Sequence, residues 1–77
     1  MLDQQSRALI TRDKTRRGGL PSPGGHYAVE EAGDGRLCDG CGERIDPAAK
    51  FVTVTARRWL PLWLHCYCYQ AWQMYFR

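Results

Sequence analysis

Cys38-Asp39-Gly40-Cys41-Gly42 and the later His65-Cys66-Tyr67-Cys68 decide how this chain folds. Together they read Cys-x2-Cys, 23 residues, then His-x2-Cys, which is four soft or borderline donors at the spacing of a structural zinc site. Two thiolates three residues apart reach one ion only if the chain turns tightly between them. Gly40 and Gly42 supply the positive φ and the close approach that such a knuckle needs. Backbone N–H groups after a ligating cysteine commonly donate to its sulfur, and a glycine eases that contact. A Cys-x2-Cys also serves redox chemistry, but its usual thioredoxin-like βαβ setting has no counterpart in this pattern.

Five donors compete for four places, because Cys66 and Cys68 both offer thiolates. From His65 to Arg77 there is no Gly or Pro, and Cys68, Trp72, Tyr75 and Phe76 recur at helical spacing. On a helix, His65 and Cys68 stand one turn apart on one face, with Trp72 a turn further on. Cys66 and Cys68, two apart, point to different faces. The preferred set is therefore Cys38, Cys41, His65 and Cys68, with sets using Cys66 as the competitor. Four protein ligands leave no place for a bound water, so one structural Zn2+ is expected rather than a catalytic one.

Between the ligand pairs, Phe51-Val52-Thr53-Val54-Thr55 is β-branched, alternating and free of Gly and Pro, the pattern of a strand. Arg57-Arg58 falls at a hairpin turn, and Trp59-Leu60-Pro61-Leu62-Trp63-Leu64 is the return strand, placed at an edge by Pro61. Both faces of that strand are apolar, and only one can cover a zinc core. Ile45 is expected to close that core.

Before the knuckle the character changes. Of the nine aromatic residues, eight lie between Phe51 and Phe76. Residues 1–35 read as a flexible basic arm and Gly/Pro linker, and 36–77 as the folded domain. The apolar stripe of the arm (Leu2, Ala8, Leu9, Ile10) is thin for a packed helix. Gly18-Gly19-Leu20-Pro21-Ser22-Pro23-Gly24-Gly25 has linker composition. His26-Tyr27-Ala28-Val29 suits a brief strand with His26 in solvent, and Glu30 to Gly35 is expected to break regular structure. A folding half of some forty residues is near the size where a staple is needed. The opening residues carry no apolar signal segment, which points to a cytoplasmic chain with reduced thiols, and so to metal before disulfides.

Knuckle, hairpin, then a helix carrying the second ligand pair is the order of a treble-clef zinc finger. The Cys-x2-Cys-x23-His-x2-Cys spacing looks like the first zinc half of a LIM domain. The wording Cys38-Asp39-Gly40-Cys41-Gly42-Glu43-Arg44-Ile45, with the later His-x2-Cys-x3-Trp, is similar to small bacterial zinc-finger-like proteins. The resemblance covers residues 36–77 and lacks the second cysteine set of a full LIM domain. It implies a small zinc-stabilised α+β fold, treble-clef-like, and no reaction; the arm before it is expected, on composition, to be disordered.

Three functional classes follow. The aromatic surplus (Trp59, Trp63, Tyr67, Tyr69 and Phe76) suits an adaptor or regulatory module with a protein partner, or a homo-oligomer seam. The alternative is a nucleic-acid-binding finger using Arg12, Lys14, Arg16, Arg17, Arg57 and Arg58, although the net charge of +3 is modest and residues 20–50 are acidic. Membrane association is the weakest: Trp59 to Phe76 lacks formal charge, but Pro61, His65, Gln70, Gln73 and a metal-bound Cys68 oppose insertion. No carboxylate pair, nucleophile–base pair or phosphate loop marks an enzyme.

Overall fold

The computed structural model describes residues 3–21, 25–56 and 59–75. Helix α1 (Gln4–Arg16) comes first, then strands β1 (Tyr27–Ala32), β2 (Lys50–Ala56) and β3 (Trp59–His65), and helix α2 (Cys66–Tyr75). The three strands form one antiparallel sheet in the order β1-β2-β3. The fold is thus a small α+β unit, as the pattern implied, with the brief strand expected near Tyr27 present as β1 and one more helix.

The hairpin register explains how two apolar faces are both used. Val52 pairs with Leu64 and Val54 with Leu62, giving one apolar row, while Phe51 pairs with His65 and Thr53 with Trp63 on the opposite side. Cross-strand partners share a face. Phe51, Val52, Val54 and Leu64 are all buried, together with Ile45, Leu20, Cys38, Cys68 and Trp72. The second face is covered from outside the hairpin. The Arg36 guanidinium lies 4.7 Å from the Phe51 ring centre and 4.6 Å from that of Trp63, and Asp34 holds it by a 2.6 Å ion pair.

Three expectations for the N-terminal half require correction. Residues 4–16 form a helix that packs on α2, not a disordered arm. Asp3 caps it by accepting from the Ser6 N–H at 2.7 Å. Its end is a Schellman closure: Gly18, at φ 80°, donates to the Thr15 carbonyl at 3.0 Å, and Gly19 donates to that of Lys14 at 2.9 Å. The buried side of α1 is polar, with Thr11 0% and Thr15 4% exposed, so an apolar stripe does not reveal it. The linker also joins the core, where Leu20 is buried and the Pro21 carbonyl accepts from Trp72 Nε1 at 2.8 Å.

β1 likewise continues through Glu30, Glu31 and Ala32, where a break was expected. As an exposed edge strand it tolerates acidic side chains. Lys50 Nζ lies 3.7 Å from the Glu30 carboxylate, and the Thr53 hydroxyl donates to Glu31. Among the described residues, no helix is long and apolar enough to cross a membrane.

Candidate metal centre

The donor atoms of Cys38, Cys41, His65 and Cys68 lie within 4.8 Å of one another. Cys38, His65 and Cys68 are buried, and Cys41 is half-buried. The knuckle is built by a short antiparallel bridge between Leu37 and Arg44, with Cys38 N–H donating to the Glu43 carbonyl at 2.9 Å. Gly42 takes the left-handed φ of 78° that closes the turn. Gly40 does not have a positive φ; a Cβ there would strike the Thr11 side chain, so it is required for space. The Gly40 N–H points at the Cys38 sulfur at 3.4 Å.

The second pair arises differently from the helical expectation. His65 is the last residue of β3 and Cys68 lies in the first turn of α2, so the strand-to-helix corner brings them together. The His65 N–H donates to Cys38 Sγ at 3.5 Å. His65 Nδ1 is 3.4 Å from Cys41 Sγ and 3.7 Å from Cys68 Sγ. A tetrahedral ion with metal–sulfur bonds of about 2.3 Å and metal–nitrogen bonds of about 2.0 Å separates its donors by roughly 3.5–3.8 Å. The set therefore fits one tetrahedral ion with thiolate and imidazole ligands.

Its electrostatics favour a cation. The Cys68 thiol donates to Cys38, and the N–H groups of Cys41, His65 and Gly40 assist against burial; the Cys38 thiol falls to about 4. Cys68 is pushed up by giving that bond and by burial. Burial raises Cys41. Three crowded sulfurs thus share protons that a divalent ion would replace.

An outer layer surrounds these donors. Tyr67 stacks on the His65 ring at 4.9 Å and 12°. From α1, Arg7 Nη1 donates to the Tyr67 hydroxyl at 2.7 Å and lies 3.5 Å from His65 Nε2. The Thr11 hydroxyl donates to the Arg7 carbonyl at 3.0 Å and lies against the Cys68 sulfur. Sequence reasoning missed Arg7 and Thr11, because nothing local marks them as neighbours of a site some thirty to sixty residues away. Cys66 stays outside the cluster, directed at the Lys50 carbonyl at 3.7 Å.

The remaining sequence candidates disperse. Trp63 is half-buried beneath Arg36, Tyr67 is held by Arg7, and the Tyr69 hydroxyl is 3.0 Å from His26 Nε2. His26 is therefore half-buried against Tyr69 and Trp72 instead of lying in solvent. The side chain of Trp59, together with Arg57, Arg58 and Phe76, lies outside the described residues. Arg16 and Arg17 both pair with Asp13, at 2.7 and 3.0 Å, and Lys14 Nζ donates to the Asp39 carbonyl at 2.6 Å.

Exposed apolar surface lies on β1 and the knuckle, at Tyr27, Val29 and Leu37, and in an open groove of about 280 Å³ between α1 and α2. Ala8, Leu9, Ala71, Met74 and Tyr75 line it with Gln5 and Arg12; Leu9 is 58% and Met74 64% exposed. No family model matches the chain, and comparisons with curated proteins and with solved structures return no match.

Proposed function

We propose that this chain is a non-enzymatic, zinc-stapled interaction module of treble-clef-like build, cytoplasmic, whose partner surface is the α1–α2 groove. A Cys3His donor set suits Zn2+ in softness and geometry, and four protein ligands leave no open position for chemistry. Knuckle, hairpin and then a helix bearing the last ligand follow the treble-clef order; β1 and α1 are additions before and around it.

The observation that carries the interaction reading is the groove. Leu9 and Met74 are large, apolar and mostly exposed side by side on two packed helices. Its lining holds Arg12 and no carboxylate. That chemistry fits an amphipathic helix of a partner protein, with an apolar face and acidic flanks. Nucleic-acid binding gains no comparable support, since Lys14, Arg16 and Arg17 already engage the chain's own acceptors.

The test is a titration of the zinc-loaded protein with a designed peptide helix, leucines on one face and glutamates on the other. Backbone amide shifts at Ala8, Leu9, Ala71 and Met74 are expected to move together. Sedimentation without peptide checks for a self-associated form. Shifts confined to other surfaces, or a groove already closed by a second copy, overturn the assignment.

A further inference from the structure

We infer that the free edge of β1 is a second docking site, separate from the α1–α2 groove. Its occupant is an extended, basic segment of a partner protein, added to the sheet as a further strand.

β1 is the outer strand of the sheet, and all six of its residues are exposed. Its ladder with β2 runs without a shift from Tyr27 opposite Thr55 to Ala32 opposite Lys50. The Gly33 N–H continues it, donating to the Ala49 carbonyl at 2.7 Å. In an antiparallel ladder, alternate residues turn both backbone groups toward the partner strand. Gly33 faces β2, so Glu31, Val29 and Tyr27 do as well. Ala28, Glu30 and Ala32 therefore direct their N–H and C=O outward, where no strand pairs with them among the described residues.

Edges that resist pairing are very short, bulged, or lined with proline or lysine. β1, Tyr27–Ala32, is six residues long and unbulged, with neither proline nor lysine of its own. Tyr27 and Val29, two apart and so on one face, are 75% and 58% exposed. A strand laid along this edge gains backbone bonds and covers those two side chains as well.

Charge selects the occupant. Glu30 and Glu31 are consecutive, so an added strand meets a carboxylate on each of its faces. Each has a partner within the chain, Lys50 at 3.7 Å for Glu30 and the Thr53 hydroxyl for Glu31. A carboxylate accepts several bonds, so both retain room for an incoming cation. The same charges oppose a second copy. Pairing β1 with itself about Glu30 sets the two Glu30 side chains opposite each other; pairing about Val29 leaves them diagonal neighbours on one face. Lysine or arginine in the incoming strand is matched, and acidic segments are repelled.

The test titrates the zinc-loaded protein with an end-blocked peptide of alternating valine and threonine that carries two lysines at one end. Amide exchange is read residue by residue. The N–H groups of Ala28, Glu30 and Ala32 should gain about tenfold protection, while those of Val29 and Glu31, already paired with β2, stay as they were. Methylating one alternate set of peptide nitrogens should abolish binding, and methylating the other set should spare it. Glu30→Lys combined with Glu31→Lys should weaken binding about tenfold at low salt, with the difference shrinking as salt rises. Ala28→Pro deletes an outward N–H and no bond to β2, so it should weaken binding with the sheet intact. If that variant unfolds, the lysine variant and the methylated peptides decide. No protection of the three amides at about 1 mM peptide overturns the inference. So does their protection without peptide in a sedimenting dimer, which assigns the edge to a second copy. The groove is read separately at Leu9 and Met74, so either surface can fail alone.

Discussion

Gly40 of the knuckle lies directly against Thr11 of α1, so that a Cβ at position 40 would collide with the Thr11 hydroxyl and methyl group and press on Leu64. Gly40→Ala should therefore displace α1 without removing a ligand. Overpacking of this kind costs about 1–3 kcal/mol. Denaturant unfolding of the zinc-loaded protein should show that loss, with metal content unchanged at one ion per chain. A variant as stable as wild type would mean that α1 sits less tightly on the knuckle than this contact requires.

Metal content should separate the two neighbouring thiols. Cys66 lies outside the donor cluster, so Cys66→Ser is expected to retain one zinc and the fold. Cys68→Ser removes a buried donor of the cluster and should lose both, since the binding free energy of such a site is folding free energy. Metal analysis and near-ultraviolet circular dichroism of both variants decide it. Zinc lost from Cys66→Ser instead would reassign the fourth ligand.

Acid should release the ion, and the sign follows from the thiols. Cys38, lowered to about 4, is already a thiolate at neutral pH and adds nothing there. Cys41 and Cys68 are raised, so in the metal-free fold both keep their protons at neutral pH. Binding must expel those protons, which makes affinity rise with pH and fall as pH drops. Those two protons set a slope of about a hundredfold per pH unit, and a steeper one where loss of the metal unfolds the chain and Cys38 regains its proton as well. Competition with a chelator of known affinity between pH 6 and 8 measures the slope; a flat profile would show that the thiols are already ionised.

Trp72 ties the segment after α1 to the core. Its ring is fully buried and its Nε1 donates to the Pro21 carbonyl at 2.8 Å. Trp72→Phe keeps most of the apolar volume and deletes that bond, leaving the carbonyl without this donor. The expected loss is about 1–3 kcal/mol, with faster amide exchange near Leu20. Loss without any change near Leu20 would assign the effect to packing alone.

What the sequence made legible is what rests on periodicity and ligand spacing. The Cys-x2-Cys and His-x2-Cys motifs named the four clustered donors, and the alternation of Phe51 to Thr55 named β2. α1 stayed hidden because its buried side is Thr11, Thr15 and Arg7, polar residues whose partners are a backbone carbonyl, a ligand sulfur and Tyr67. Two signals were present all the same: Asp3 at an N-cap and Thr15-Arg16-Arg17-Gly18-Gly19 as a helix stop. The cover over Phe51 and Trp63 was equally unreadable, because an arginine on two rings leaves no periodic trace. The aromatic surplus was real in number but turned inward at Trp63, Tyr67 and Tyr69.

The groove makes the sharpest demand. Leu9 and Met74 are 58% and 64% exposed, so replacing either removes little buried surface. Leu9→Glu and Met74→Glu should each leave stability within about 0.5 kcal/mol of wild type, as surface changes usually do. A carboxylate in this apolar groove would oppose the proposed acidic-flanked partner twice, by desolvation and by like charge. Binding of the leucine–glutamate helix should fall at least tenfold in each variant, while Leu9→Met should bind normally. Thermal melts and a fluorescence titration carried out on the same zinc-loaded samples provide the check. If both glutamate variants bind the peptide as wild type does, the α1–α2 groove is not the docking site; if both unfold, these side chains serve the core despite their exposure.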